Sequence, residues 1–101
     1  MDHRADRLTD RTWLRSPEEE TGDLRVYRPE DHPFPPARGR EGLTFHSDGR
    51  LDYRAPGRGG TETGTWKDTG GEVRADIAGQ VIKLYVTEVG DDVLRLRWPH
   101  P

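Results

Sequence analysis

The fold is decided between Gln80 and Trp98, where the chain reads QVIKLYVTEV (80–89), GDD (90–92) and VLRLRW (93–98). This is the only long run that is apolar on both faces. Ile82, Leu84 and Val86 alternate with Val81, Lys83, Tyr85 and Thr87, and Leu94, Leu96 and Trp98 alternate with Val93, Arg95 and Arg97. A period of two carried by β-branched and aromatic residues means strands. Directly opposed residues of an antiparallel pair share a face, so the register follows from the turn. A two-residue Gly90-Asp91 loop would set Val86 against Arg95 and mix the faces. A three-residue loop, Gly90–Asp92 or Val89–Asp91, keeps Leu84 and Val86 on the face of Leu94, Leu96 and Trp98, so an odd loop with a bulge is expected.

Working outward, the same apolar face continues upstream. In the hairpin from Gly42 to Arg54, a Ser47-Asp48-Gly49 loop opposes Phe45 to Leu51 and Leu43 to Tyr53, with Gly49 at the left-handed third position. Thr63–Lys67 is expected to pair with Glu72–Ile77 through Thr69-Gly70, setting Lys67 against Glu72 and Trp66 against Val73. A glycine-first Gly79-Gln80 turn would then oppose Ile77 to Ile82, Ala75 to Leu84 and Val73 to Val86. Thr12–Arg15 and Asp23–Arg28 supply two further strands, with Pro29 ending the second. About eight strands with short connections and no helix long enough to cover a sheet predict an all-β fold: one small antiparallel up-and-down meander barrel.

The remaining segments are punctuation. Residues 1–10 form a polar leader, frayed or a loose lid, ahead of a single domain at 11–101. Ser16-Pro17-Glu18-Glu19 has the N-cap, first-position proline and third-position glutamate of a capping box, and Gly22 limits it to one helical turn near residues 16–21. The acids Glu18, Glu19 and Glu20 suit a helix start facing water. Residues 29–42 (PEDHPFPPARGREG) hold four prolines, Pro29 included, and two glycines, a stretch no strand ladder could use. Two readings stand: a stiff cover for one barrel end with Phe34 as the plug, or a contact for an anion or peptide through Arg38 and Arg40.

Composition bounds the chemistry. Among 101 residues only 30% are hydrophobic and 35% charged, so the core must rest on a few large side chains, chiefly Trp13, Phe45, Tyr53, Trp66 and Trp98. Nineteen acids against sixteen bases leave a net charge of -3, without the basic footprint of a nucleic-acid binder. Without cysteine there is no disulfide, thiolate nucleophile or zinc thiolate site. His3, His32, His46 and His100 lack ligand spacing, so no metal and no cofactor are expected. No run suits a signal peptide or a membrane span, and the cytoplasm is the expected compartment.

A polar leader running into a first-strand tryptophan (LTDRTW, Leu8 to Trp13) and a later Gly-Thr-Trp at Gly64 to Trp66 resemble the short lipocalin-like proteins of bacteria. In lipocalins the Gly-x-Trp begins the first strand, whereas here Arg11 stands two residues before Trp13. VYRPEDHPFPPARGR (Val26 to Arg40) also resembles a segment of actinobacterial proteins of this size, a likeness that carries no function. The resemblance implies a barrel binding a small amphipathic molecule or a peptide at its mouth. Arg15, Tyr27, Phe34, Arg38, Arg40, Tyr53 and Trp66 are the candidate ligand-binding residues. Two other classes remain open: an accessory module whose solid barrel binds a protein partner on its surface, and a cofactor-free cyclase or isomerase of secondary metabolism.

Overall fold

In the computed structural model residues 3–37, 39–57, 60–70 and 72–98 are described, with side chains from residue 6 onward. Eight antiparallel strands close into an up-and-down barrel: β1 (Thr12–Arg15), β2 (Leu24–Pro29), β3 (Gly42–Phe45), β4 (Arg50–Arg54), β5 (Thr61–Asp68), β6 (Val73–Ile77), β7 (Gln80–Val89) and β8 (Leu94–Arg97). From β3 to β8 each strand neighbours the next. The first two strands are exchanged in the closing order, β1 pairing with both β2 and β3 while β2 pairs with β8. Because β2 and β3 then run parallel on either side of β1, their connection must cross β1, and the proline-rich segment 30–41 is that crossing. No helix among the described residues is long and apolar enough to cross a membrane.

The odd loop of the β3–β4 hairpin is as the sequence reads it. Phe45 opposes Leu51, Leu43 opposes Tyr53, and Gly49 takes φ 94°. At β7–β8 the reversal spans Gly90–Val93, closed by the Gly90 N–H donating to the Val93 carbonyl at 2.8 Å, and Val89 opposes Leu94. A bulge between Val86 and Glu88 then shifts the pairing, so that Val86 meets Leu96. Beyond the bulge the register is therefore the one a Gly90–Asp92 loop would give, and Leu84 shares its face with Leu96.

Two expected registers are overturned, each by two residues. Trp66 opposes Ala75, not Val73, and Lys67 opposes Arg74, not Glu72, because the reversal lies between Thr69 and Glu72, whose backbone bond closes it at 2.9 Å. Likewise Ile77 opposes Gln80 rather than Ile82, Ala75 meets Ile82 and Val73 meets Leu84. Here Ala78 and Gly79 form the turn, both left-handed at φ 54° and 78°. Two consecutive positive φ values give a two-residue turn whose twist matches that of the flanking strands. A slip of two preserves every face, so the apolar phase from Leu43 to Trp98 survives both corrections.

The barrel is packed at one end. Trp13, Phe45, Leu43, Leu51, Leu84 and Leu94 are fully buried, and the leader supplies Leu8 as a further buried side chain. The leader is not merely polar chain: residues His3–Leu8 form a short helix, α1, and the Trp13 indole N–H donates to the Leu8 carbonyl at 3.1 Å. Trp66 is half-buried at this end, edge-on to Phe45 with ring centroids 5.3 Å apart. Phe34 is not a plug. It stands half-exposed outside the core, against His32 (4.8 Å) and beneath the Arg40 guanidinium (4.5 Å).

The turn at Pro17–Glu19 is a 3-10 helix without the expected capping box. The Ser16 hydroxyl donates to the Glu19 carboxylate at 2.7 Å rather than serving the backbone. The three acids do not simply face water either, since each engages its own arginine: Glu18 with Arg40 (2.7 Å), Glu19 with Arg28 (2.7 Å) and Glu20 with Arg15 (2.8 Å).

Candidate functional site at the open end of the barrel

β2 places its polar side inward. Arg25 and Tyr27 sit opposite Leu96 and Leu94 on the core face, while Val26 points outward and is covered by the 3-10 segment, whose Ser16 N–H donates to the Val26 carbonyl at 2.7 Å. The inversion is affordable because Tyr27 is a large ring filling the barrel and because Arg25 finds a partner. That partner is Glu41, on the same face as Leu43 one step before β3, where the Arg15 N–H donates to its carbonyl at 2.8 Å.

Glu41 is only 5% exposed, and its carboxylate gathers three polar side chains from two strands, β2 and β4. It accepts hydrogen bonds from the Tyr27 hydroxyl at 2.5 Å, the Tyr53 hydroxyl at 2.8 Å and the Arg25 guanidinium at 3.0 Å. A buried carboxylate needs this degree of satisfaction. Burial, and after it the negative charge of Glu41, pushes the Tyr27 hydroxyl well above the ordinary phenol range. Burial and the same hydrogen bond raise Tyr53 to about 12. Arg25 also stacks on Trp98, its guanidinium carbon 4.4 Å from the ring centre, and Trp98 lies 6.0 Å from the Tyr53 ring. Arg15 is held two-pronged by Glu20, and that hydrogen bond raises its already high pKa.

Above this network the barrel opens into a half-open cleft of about 450 Å³ lined by Tyr53, Glu62, Ile77, Gln80, Ile82 and Trp98, with small residues between them. The cleft is written into β5. Its first two inward positions are Glu62, opposite Tyr53, and Gly64, opposite Leu51, so the strand contributes no apolar side chain to this half of the interior. Gly64 could not be otherwise, since a Cβ there would lie 1.9 Å from the Asp76 carbonyl oxygen of β6. Behind Arg15 and Glu41 a second cleft of about 320 Å³ is lined by Pro17, Ala37, Arg40 and Pro56. The proline-rich crossing thus arrives at the open end, where the Gly57 N–H donates to the Gly39 carbonyl at 2.8 Å.

Of the residues singled out from the sequence, Arg15, Tyr27 and Tyr53 converge here. Arg40 borders them from outside, donating to the Arg15 carbonyl at 3.0 Å. Phe34 lies beyond Arg40, Trp66 is at the opposite end with its indole N–H on the His46 carbonyl (2.8 Å), and Arg38 lies outside the described residues. Sequence reasoning missed Arg25, Glu41 and Glu62, and treated Trp98 as core alone. The signal for Glu41 was the alternation Glu41-Leu43-Phe45, which continues the inward face one step back into what reads as loop. Among the described residues no three His, Asp or Glu side chains converge to hold a metal ion. Comparison with known protein families, curated proteins and solved structures finds no match to this chain.

Proposed function

We propose that the protein is a small lipocalin-like binding protein that takes a small amphipathic molecule at the open end of its barrel. The observation that carries this reading is the cleft of about 450 Å³, floored by Tyr53 and Trp98 and walled by Ile77 and Ile82. Its size falls within the range of about 300–1,000 Å³ usual for small-molecule sites, and its mix of apolar wall with a few polar groups is the usual lining. The Glu41 network supports it from below by fixing Tyr53 and, through Arg25, Trp98, so the floor is set before a ligand arrives.

Tryptophan fluorescence of the full chain, titrated with medium-chain alcohols, amines and carboxylates below their micellar concentrations, tests the reading. Saturable binding that is lost in Ile82→Arg and spectrally silent in Trp98→Phe is expected. If no amphiphile binds, or if binding survives Ile82→Arg unchanged, the mouth is not the site, and the outer surface of the barrel becomes the working part.

A further inference from the structure

Resting on that reading, we propose that the ligand of the mouth cleft is an amphipathic amine, its ammonium group held by Glu62 and its apolar body lying against Ile77, Ile82 and Trp98. The charges around the cleft decide the sign. Arg25 is neutralised by Glu41 at 3.0 Å and Arg15 by Glu20 at 2.8 Å. Glu62 lies on the inward face of β5 and its carboxylate has no hydrogen bond or ion pair among the described residues. The described lining therefore carries one uncompensated negative charge.

The hydrogen-bonding inventory agrees with the charge. Tyr53 has committed its proton to Glu41, which leaves its oxygen free only to accept. The carboxylate of Glu62 accepts and cannot donate, and the face of an indole attracts cations, as Arg25 on Trp98 already shows. Among the described lining, Gln80 and the Trp98 indole N–H offer the free side-chain donors, both neutral. A ligand carboxylate or phosphate would meet two neutral donors and a repelling charge, whereas an ammonium would find acceptors, an opposite charge and a π face together.

Calorimetry of the full chain with decylamine, decanol and decanoate separates this from the broader reading. The amine is expected to bind about tenfold more tightly than the alcohol, the sum of a rim ion pair and a cation–π contact, with decanoate weakest. Glu62→Gln, a rim substitution, should bring amine and alcohol to within about twofold of each other by weakening the amine. If all three bind alike and Ile82→Arg abolishes them, the mouth binds amphiphiles but the amine assignment is overturned. If decanoate binds best, the assignment is overturned as well, and if none binds, both it and the mouth reading fall.

Discussion

Glu41 is the residue on which the open end turns. Replaced by alanine, it would leave the Arg25 charge and the Tyr27 hydroxyl without their partner inside the barrel, and removing one member of a buried ionic network costs about 3–5 kcal/mol. Tyr53→Phe removes one hydrogen bond of the same network and is expected to cost about 1 kcal/mol. Chemical denaturation of both variants checks the ratio; equal, small losses would mean the network is slack. The network also predicts an alkaline limit. Tyr53 is raised to about 12 from the ordinary phenol value of 10.0, so its stabilisation is complete below the unfolded value and is lost as pH rises from about 10 through about 12. A phenolate absorbance titration should show Tyr27 and Tyr53 ionising late and together with unfolding.

Among the elements, β5, β6 and β7 show a conflict that the sequence conceals. With the observed registers Lys67, Arg74 and Lys83 lie directly opposite one another across three strands on the outer face, exposed and without an ion pair among the described residues. Like charges in opposed positions destabilise a sheet by a few tenths to about 1 kcal/mol. Arg74→Thr is therefore expected to stabilise the barrel by about 0.5 kcal/mol at low salt, a gain that shrinks as salt screens the row. Denaturation midpoints of the two proteins across a salt series would show it, and a salt-independent loss would contradict the register. The expected Lys67–Glu72 pairing matches opposite charges. The chain forgoes that match because turn geometry at Thr69–Glu72 and at Ala78-Gly79 outweighs the small energy of exposed charge pairs. The slip was invisible to face patterning, which only an odd shift disturbs.

At the scale of the whole molecule, the strands and the closed barrel were legible because alternation is a local signal repeated along the chain. The arrangement of β1 and β2 was not, since nothing in 30–41 announces a strand crossing, and β2 reads equally well with either face inward. The candidate site was half legible. Tyr53 and Arg15 could be placed beside core residues, but the partner that orders them, Glu41, lay in a stretch dominated by proline and glycine. The crossing and the 3-10 turn are fastened to the barrel by Glu18–Arg40, Glu19–Arg28 and Glu20–Arg15. Hydrogen bonds from Arg40 hold Glu18 at about 2, and those from Arg28 and Ser16 hold Glu19 at about 2. Burial opposes ionisation of Glu20, but its bonds from Arg15 and the Val26 N–H leave it lowered as well. Depressed carboxylates stabilise above their unfolded value and lose that contribution as pH falls through the folded one, so stability should decline from about pH 4.5 toward about pH 2. Melting temperatures across that window check the sign, and Arg40→Ser should flatten part of the decline.

The central claim, that the open end of the barrel takes the ligand, is tested most directly by amide chemical-shift mapping of the isotopically labelled chain with decylamine. The account predicts saturable shifts at Tyr53, Glu62, Ile77, Ile82 and Trp98, with Phe45, Leu51 and Trp66 at the packed end unmoved. Shifts centred on the packed end, or spread over the outer face of β6 and β7, would contradict it.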